Sequence, residues 1–185
     1  AFPAMLAGNT LLLKHASNVT GCALAIQDVI HRGSGRNGLL QTVLLPGDKI
    51  LPLIESDAVS AVSFTGSTPV GRKIAEKAGA SLKKCVLELG GSDPYLIFAD
   101  ADIEKAATTC AHSRLINAGQ SCISAKRFIV ERSVVEPFTD ALMKEMRKAE
   151  LAPLARKDLR EDLHEQVELS LKSGAKLRLG GKIPS

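Results

Sequence analysis

Two stretches of the chain carry side chains able to make and break covalent bonds. Asn117-Ala118-Gly119-Gln120-Ser121-Cys122 sets a thiol among small and amide residues, and Leu87-Glu88-Leu89-Gly90-Gly91 sets a carboxylate ahead of paired glycines. A thiolate is a strong nucleophile once a base or an electropositive setting forms it near neutral pH. A glutamate can be that base, or can activate the water that later releases a thioester. Residue type alone leaves another role open for Cys122, that of a small apolar residue in a core.

A third stretch, Gly66-Ser67-Thr68-Pro69-Val70-Gly71, is expected between a strand and a helix. Glycines allow a backbone to approach a ligand closely, and a helix start offers free N–H groups to phosphate. Pro69 suits a first helical turn. The spacing departs from G-x-G-x-x-G, and a tight connection without a ligand is the alternative. Lys14 closes a short apolar run, at the strand edge where open α/β sheets bind ligands; a surface lysine is the alternative there. The histidines, His15, His31, His112 and His164, show no pairing with Cys122 in sequence. A Cys–His hydrolase therefore stays open only through residues adjacent in space.

Positioning these groups requires elements, and the first ninety residues alternate between strand and helix. Strands are expected at Asn9–Leu13, Leu39–Leu45, Ala61–Phe64 and Cys85–Leu87. Helices are expected at Val19–Ile30, with Cys22, Ile26 and Ile30 on one face and Ser17 or Asn18 as cap, at Asp48–Ile54 and at Arg72–Ala78. Gly33–Gly38 reads as a loop. This is the βαβ rhythm of a parallel, nucleotide-binding type of sheet. After Gly91 the pattern changes. Strands are expected at Pro94–Phe98 and Arg127–Glu131, and Asp100 and Asp102 open a helix whose Ile103, Ala106, Ala107 and Cys110 share a face. Ser133 with Glu136, and Asp158 with Glu161, have capping-box spacing before two further helices. Gly174 lies past the end of the last one, and Ala175, Leu177 and Leu179 alternate as a final strand. The resulting division is residues 1–89 and 90–185.

Composition narrows the function classes. The chain has 185 residues, 45% hydrophobic and 24% charged, which is ordinary for a globular protein. Its net charge of +4 is interleaved, and aromatics make up 3%, so nothing points to a nucleic-acid partner. No apolar run reaches the ~18 residues of a membrane span, and the start shows no secretory pattern. Cys22, Cys85, Cys110 and Cys122 form no C-x-x-C and no Cys/His metal spacing. No metal is expected, and a reducing compartment, the cytoplasm, is.

Taken together, Gly8-Asn9-Thr10 with Lys14, Phe64-Thr65-Gly66-Ser67-Thr68 with Val70-Gly71, Glu88-Leu89-Gly90-Gly91 and Gly119-Gln120-Ser121-Cys122 resemble the NAD(P)-dependent aldehyde dehydrogenases, in the family's order and along the whole chain. Leu154–Arg160 and Gly90-Gly91-Ser92-Asp93-Pro94 look most like the bacterial succinate-semialdehyde dehydrogenase branch. The resemblance implies an α/β fold: a parallel Rossmann-type cofactor domain (1–89, lacking its N-terminal part), then the first part of an α/β catalytic domain (90–185, lacking its C-terminal part). It implies that Cys122 attacks an aldehyde and that Glu88 activates the hydrolytic water. Gly66 and Ser67 would approach the cofactor pyrophosphate, with Gly71 in the same loop, Lys14 the adenosine ribose, Val70 the adenine, and the Leu89 carbonyl the nicotinamide amide. The substrate would be a small aldehyde, succinate semialdehyde first, and the full-length form a homo-oligomer.

Position 17 bears on the cofactor. Family members that prefer NAD commonly place a glutamate there, whereas this chain has Ser17. A glutamate repels a 2′-phosphate, and serine leaves Lys14 free to pair with it; NADP is therefore expected to be accepted, alongside or ahead of NAD. The family's oxyanion asparagine falls upstream of residue 1 and its ribose-holding glutamate downstream of residue 185, so a fragment is expected, with a non-catalytic remnant as the alternative. Ile116 stands where better-known succinate-semialdehyde enzymes carry an arginine; Arg114 is close in sequence.

Overall fold

The computed structural model describes residues 1–183, and the chain forms two compact units, Ala1–Leu89 and Gly90–Ser185. In the first, α1 (Phe2–Leu6), which no periodicity announced, precedes β1 (Leu11–Leu13). A 3-10 turn (Ser17–Val19) leads into α2 (Thr20–Ser34), then β2 (Leu40–Thr42), a second 3-10 turn (Gly47–Lys49), α3 (Ile50–Glu55), β3 (Ala61–Thr65), α4 (Thr68–Ala80) and β4 (Lys84–Glu88). β1 pairs with β2 and β3 with β4, both parallel, with Leu11 opposite Leu40 and Thr65 opposite Glu88. Parallel pairing is what helix crossovers between strands require. Ile54, Ile74 and Ala78 are buried between α3, α4 and the second strand pair, with Val62, Phe64, Cys85 and Leu87 packed around them.

Helix α2 is seated on β2 by polar contacts that hydrophobic spacing does not reveal. Gln27 Oε1 accepts from the Thr42 N–H (2.6 Å), and the Thr42 hydroxyl donates to the Ala23 carbonyl (3.0 Å). The packed face is consequently Ala23, Gln27 and Ile30; Cys22 and Ile26 are exposed, one position off the expected stripe. Ser17 and Asn18 belong to the 3-10 turn and no side chain caps α2. The helix runs on into the expected loop and stops at Gly35, whose φ of 64° is left-handed. β2 is shorter than the apolar run suggested, since its partner β1 has only three residues.

The second unit holds β5 (Pro94–Ile97), α5 (Ile103–Leu115), a 3-10 turn (Ile116–Gly119), β6 (Arg127–Val130), a turn (Arg132–Val134), α6 (Val135–Met146) and α7 (Lys157–Lys172). β5 and β6 pair in parallel. The Asp102 side chain caps α5 by accepting from the Lys105 N–H at 3.1 Å. Ala107 and Cys110 are buried and Ile103 and Ala106 pack half-buried beside them, which is the expected face, and buried Ala111 extends it. Phe138 from α6 is almost fully buried beside Ile97 and Cys110. Tyr95, Phe128 and Phe138 stack edge to face at centroid distances of 6.0 and 6.1 Å.

Both expected capping boxes are absent. The Ser133 hydroxyl donates to Glu131 and accepts no N–H from the start of α6. Asp158 is gripped by the Arg156 guanidinium at 2.9 and 2.8 Å, a pairing that holds its carboxyl below the ordinary range. Gly174 does close α7, with φ of 94°. Residues 175–179 are not a strand. Alternation supplies a face but no ladder partner, and among the described residues no strand pairs with them.

Candidate functional site

The residues singled out in the first unit lie at or beyond the carboxyl ends of β1, β3 and β4. Lys14 directly follows β1 and is half-buried; Ser17, exposed, opens the 3-10 turn beyond it. Gly66 and Ser67 connect β3 to α4. The Gly66 N–H donates to the Glu88 carbonyl at 3.0 Å, so the start of the loop is tied to the backbone of the acid at the end of β4. A Cβ at Gly66 would run into the tip of the Phe64 ring, which would have to shift.

Ser67 is extended (φ −73°, ψ 148°) and no side chain caps α4, whose first turn contains Pro69. Its leading N–H groups are thereby left for solvent or a ligand, the arrangement an anion needs. Gly71, the fourth residue of α4, is buried against the Leu89 side chain; a Cβ at position 71 would lie 2.6 Å from a Leu89 methyl. Val70 is exposed on the other side of that turn. The structure therefore brings Gly66 to Glu88 and Gly71 to Leu89, while Lys14 and Ser17 belong to a separate strand pair. The Glu88 side chain is exposed.

Cys122 is an exposed thiol on the loop between α5 and β6. It differs from Cys110, which packs in the core and whose thiol burial pushes up. The loop is unusual upstream of the thiol. Asn117 (φ 51°), Ala118 (φ 54°) and Gly119 (φ 78°) are all left-handed, a conformation costing roughly 1–2 kcal/mol for a non-glycine residue. Such strain persists only where neighbours enforce it.

The enforcing contacts can be named. The Arg114 guanidinium donates to the Gly119 carbonyl at 3.0 Å. The Gln120 side chain donates to the Pro153 carbonyl (3.3 Å) and accepts from the Ala155 N–H (3.1 Å). Buried Ser124 reaches the Ile116 carbonyl (3.4 Å), the Ala125 N–H donates to the Ser113 carbonyl (3.1 Å), and the Lys126 ammonium donates to the carbonyls of Cys122 and Gly91. Sequence reasoning assigned none of these supporting roles. Arg114 was visible only as a cation near Ile116, and its contact with Gly119 gives it a different duty from meeting a substrate.

The family model described as "Aldehyde dehydrogenase family" matches residues 1–185. An aldehyde dehydrogenase of Paenarthrobacter nicotinovorans is 44% identical over the whole chain, which covers 42% of that protein. The Escherichia coli (strain K12) succinate semialdehyde dehydrogenase [NAD(P)+] Sad is also 44% identical, over 98% of the chain and 42% of its own length. The crystal structure of succinic semialdehyde dehydrogenase from Streptococcus pyogenes in complex with NADP+ superposes with a TM-score of 0.93 at 35% identity, over 99% of the chain and 42% of that structure. The chain thus spans less than half the length of these relatives.

Proposed function

This chain belongs to the aldehyde dehydrogenase family, and from that premise we propose that it contributes the nucleophile, the water-activating acid and much of the dinucleotide cradle of an enzyme that oxidises an aldehyde to its carboxylic acid. The observation that carries this is the exposed Cys122 thiol on a strained loop braced by Arg114, Gln120, Ser124 and Lys126. Strain held by so many contacts is characteristic of a site that must present one side chain in one place.

In this reading the Cys122 sulfur adds to the aldehyde carbon and the carbonyl oxygen becomes an oxyanion. The Cys122 backbone N–H would help hold that oxyanion, a contribution worth ~3–4 kcal/mol per donor in acyl-transfer sites. Once the carbon has lost hydride, the enzyme carries a thioester on Cys122. Glu88 takes a proton from water, the hydroxide adds to the thioester carbon, and the thiol leaves with the acid as product.

The residues present fit a dinucleotide. The uncapped start of α4 with Gly66 and Ser67 would hold the pyrophosphate, Lys14 and Ser17 the adenosine ribose, Val70 the adenine and the Leu89 carbonyl the nicotinamide amide. When bound, the nicotinamide supplies the hydride acceptor. The absence of an acid at position 17, beside half-buried Lys14, supports acceptance of NADP as well as NAD. Succinate semialdehyde is the first aldehyde to test, since several relatives carry that name. The division into two compact units at Leu89–Gly90 supports a cofactor part before it and a catalytic part after it.

The experiment is aldehyde-dependent formation of NADPH and NADH, by this chain and by a version extended to the length of its relatives. In the extended protein, Cys122→Ala should abolish oxidation and leave cofactor affinity unchanged. Glu88→Gln should slow release of acid more than the first burst of reduced cofactor. Turnover surviving Cys122→Ala would overturn the assignment.

A further inference from the structure

The carbonyl of Cys122 has its own anchor. Lys126 Nζ lies 2.9 Å from that oxygen and 2.7 Å from the carbonyl oxygen of Gly91, both within the second unit. An ammonium has three donors and no fixed fork, so it can serve two carbonyls that a planar side chain would not reach together, with one donor left for water. Hydrogen bonds with a charged donor are about twice as strong as neutral ones. Gly91 runs alongside the same oxygen: a Cβ placed on it would be 3.9 Å from the Cys122 carbonyl. Upstream, Arg114 and Gln120 hold positions 119 and 120. Among the described residues, Lys126 is the group that holds position 122 itself.

We infer that Lys126 is a positioning residue for the nucleophile. Fixing the Cys122 carbonyl fixes the peptide plane that follows it, and with it the direction in which the Cα–Cβ bond carries the sulfur. Lys126 touches neither substrate nor sulfur in this role. It locks the loop to Gly91, the last residue of the stretch that begins at Glu88. The inference rests on Cys122 being the nucleophile.

The test uses the full-length protein and the variants Lys126→Met and Lys126→Arg, read by amide hydrogen exchange over residues 117–126 and by steady-state kinetics. Lys126→Met should speed exchange in that segment by about ten-fold, the loss of roughly one charge-assisted contact. It should lower kcat at least as much and leave the cofactor KM where it was. Lys126→Arg, whose planar guanidinium keeps the charge but cannot reach both carbonyls together, should recover only part of both effects. Unchanged exchange in Lys126→Met overturns the clamp. Faster exchange with unchanged kcat overturns its role in positioning the sulfur. Parent protein that reduces no cofactor with any aldehyde would defeat the proposed function, whereas the exchange arm would still decide whether Lys126 holds the loop.

Discussion

One helix contains two glycines for which the structure demands opposite answers to the same substitution. Gly71 and Gly79 both lie in α4, and either gains about 1 kcal/mol of helix propensity on becoming alanine, less near the helix end where Gly79 sits. At Gly79 a new Cβ meets no atom within 4 Å. At Gly71 it lies 2.6 and 3.1 Å from the two Leu89 methyls, so the isopropyl group must retreat by most of an ångström. Overpacking of that kind costs about 1–3 kcal/mol, which exceeds the propensity gain at its midpoint.

Gly79→Ala should therefore raise the thermal midpoint by about 1–3 °C, and Gly71→Ala should lower it by about 2–4 °C, using the shift expected for a chain of this size. The assay is a circular-dichroism melt of parent and variants at one protein concentration. Adding Leu89→Ala removes the colliding methyls, so in that background the two alanine substitutions should act in the same direction. A Gly71→Ala protein as stable as Gly79→Ala would refute the reasoning, because it would mean that Leu89 moves aside without cost. Gly71→Ala should also weaken cofactor binding, since Leu89 carries the carbonyl assigned to the nicotinamide amide.

Two other outcomes are expected. Ser17→Glu sets a carboxylate in the exposed turn beyond Lys14 and should shift the NADP-to-NAD ratio of kcat/KM toward NAD by about ten-fold or more, the effect of a like charge near a 2′-phosphate; an unmoved ratio would exclude position 17 from that pocket. In the native protein, iodoacetamide should label the exposed Cys22 and Cys122 well before Cys110, as resolved by peptide mass spectrometry. Burial raises the Cys110 pKa, so the folded state keeps its proton after the unfolded state has lost one. The contribution of this thiol to stability is full below about pH 8.5 and declines as pH rises from there through the folded pKa. Early labelling of Cys110 would contradict the packing around Phe138.

Local sequence carried much of the architecture. Ala61–Phe64 and Cys85–Leu87 were legible as strands because each is a short apolar run bounded by turn residues, and the structure extends them by a residue or two. Asp102 was legible as a cap, and Gly174 as a stop, because both act within one helical turn of their own position. Order, alternation and the Gly66, Glu88 and Cys122 motifs likewise follow from residues close in the chain, and with them the family.

What the tertiary structure alone decided is which of several available partners a group meets. Residues 175–179 alternate as a strand should, but a strand exists only if another chain segment accepts its hydrogen bonds. Ser133 and Asp158 had the right spacing for caps and took nearer competing partners, Glu131 and Arg156. The buried face of α2 turned by one residue because Gln27 and Thr42 meet across a helix and a strand. The loop before Cys122 holds three left-handed residues that no local preference would select, sustained by contacts reaching back to Arg114 and forward to Pro153 and Ala155. A sequence states which side chains can react; the direction in which a thiol points is settled by hydrogen bonds to backbone atoms that only the fold brings within reach.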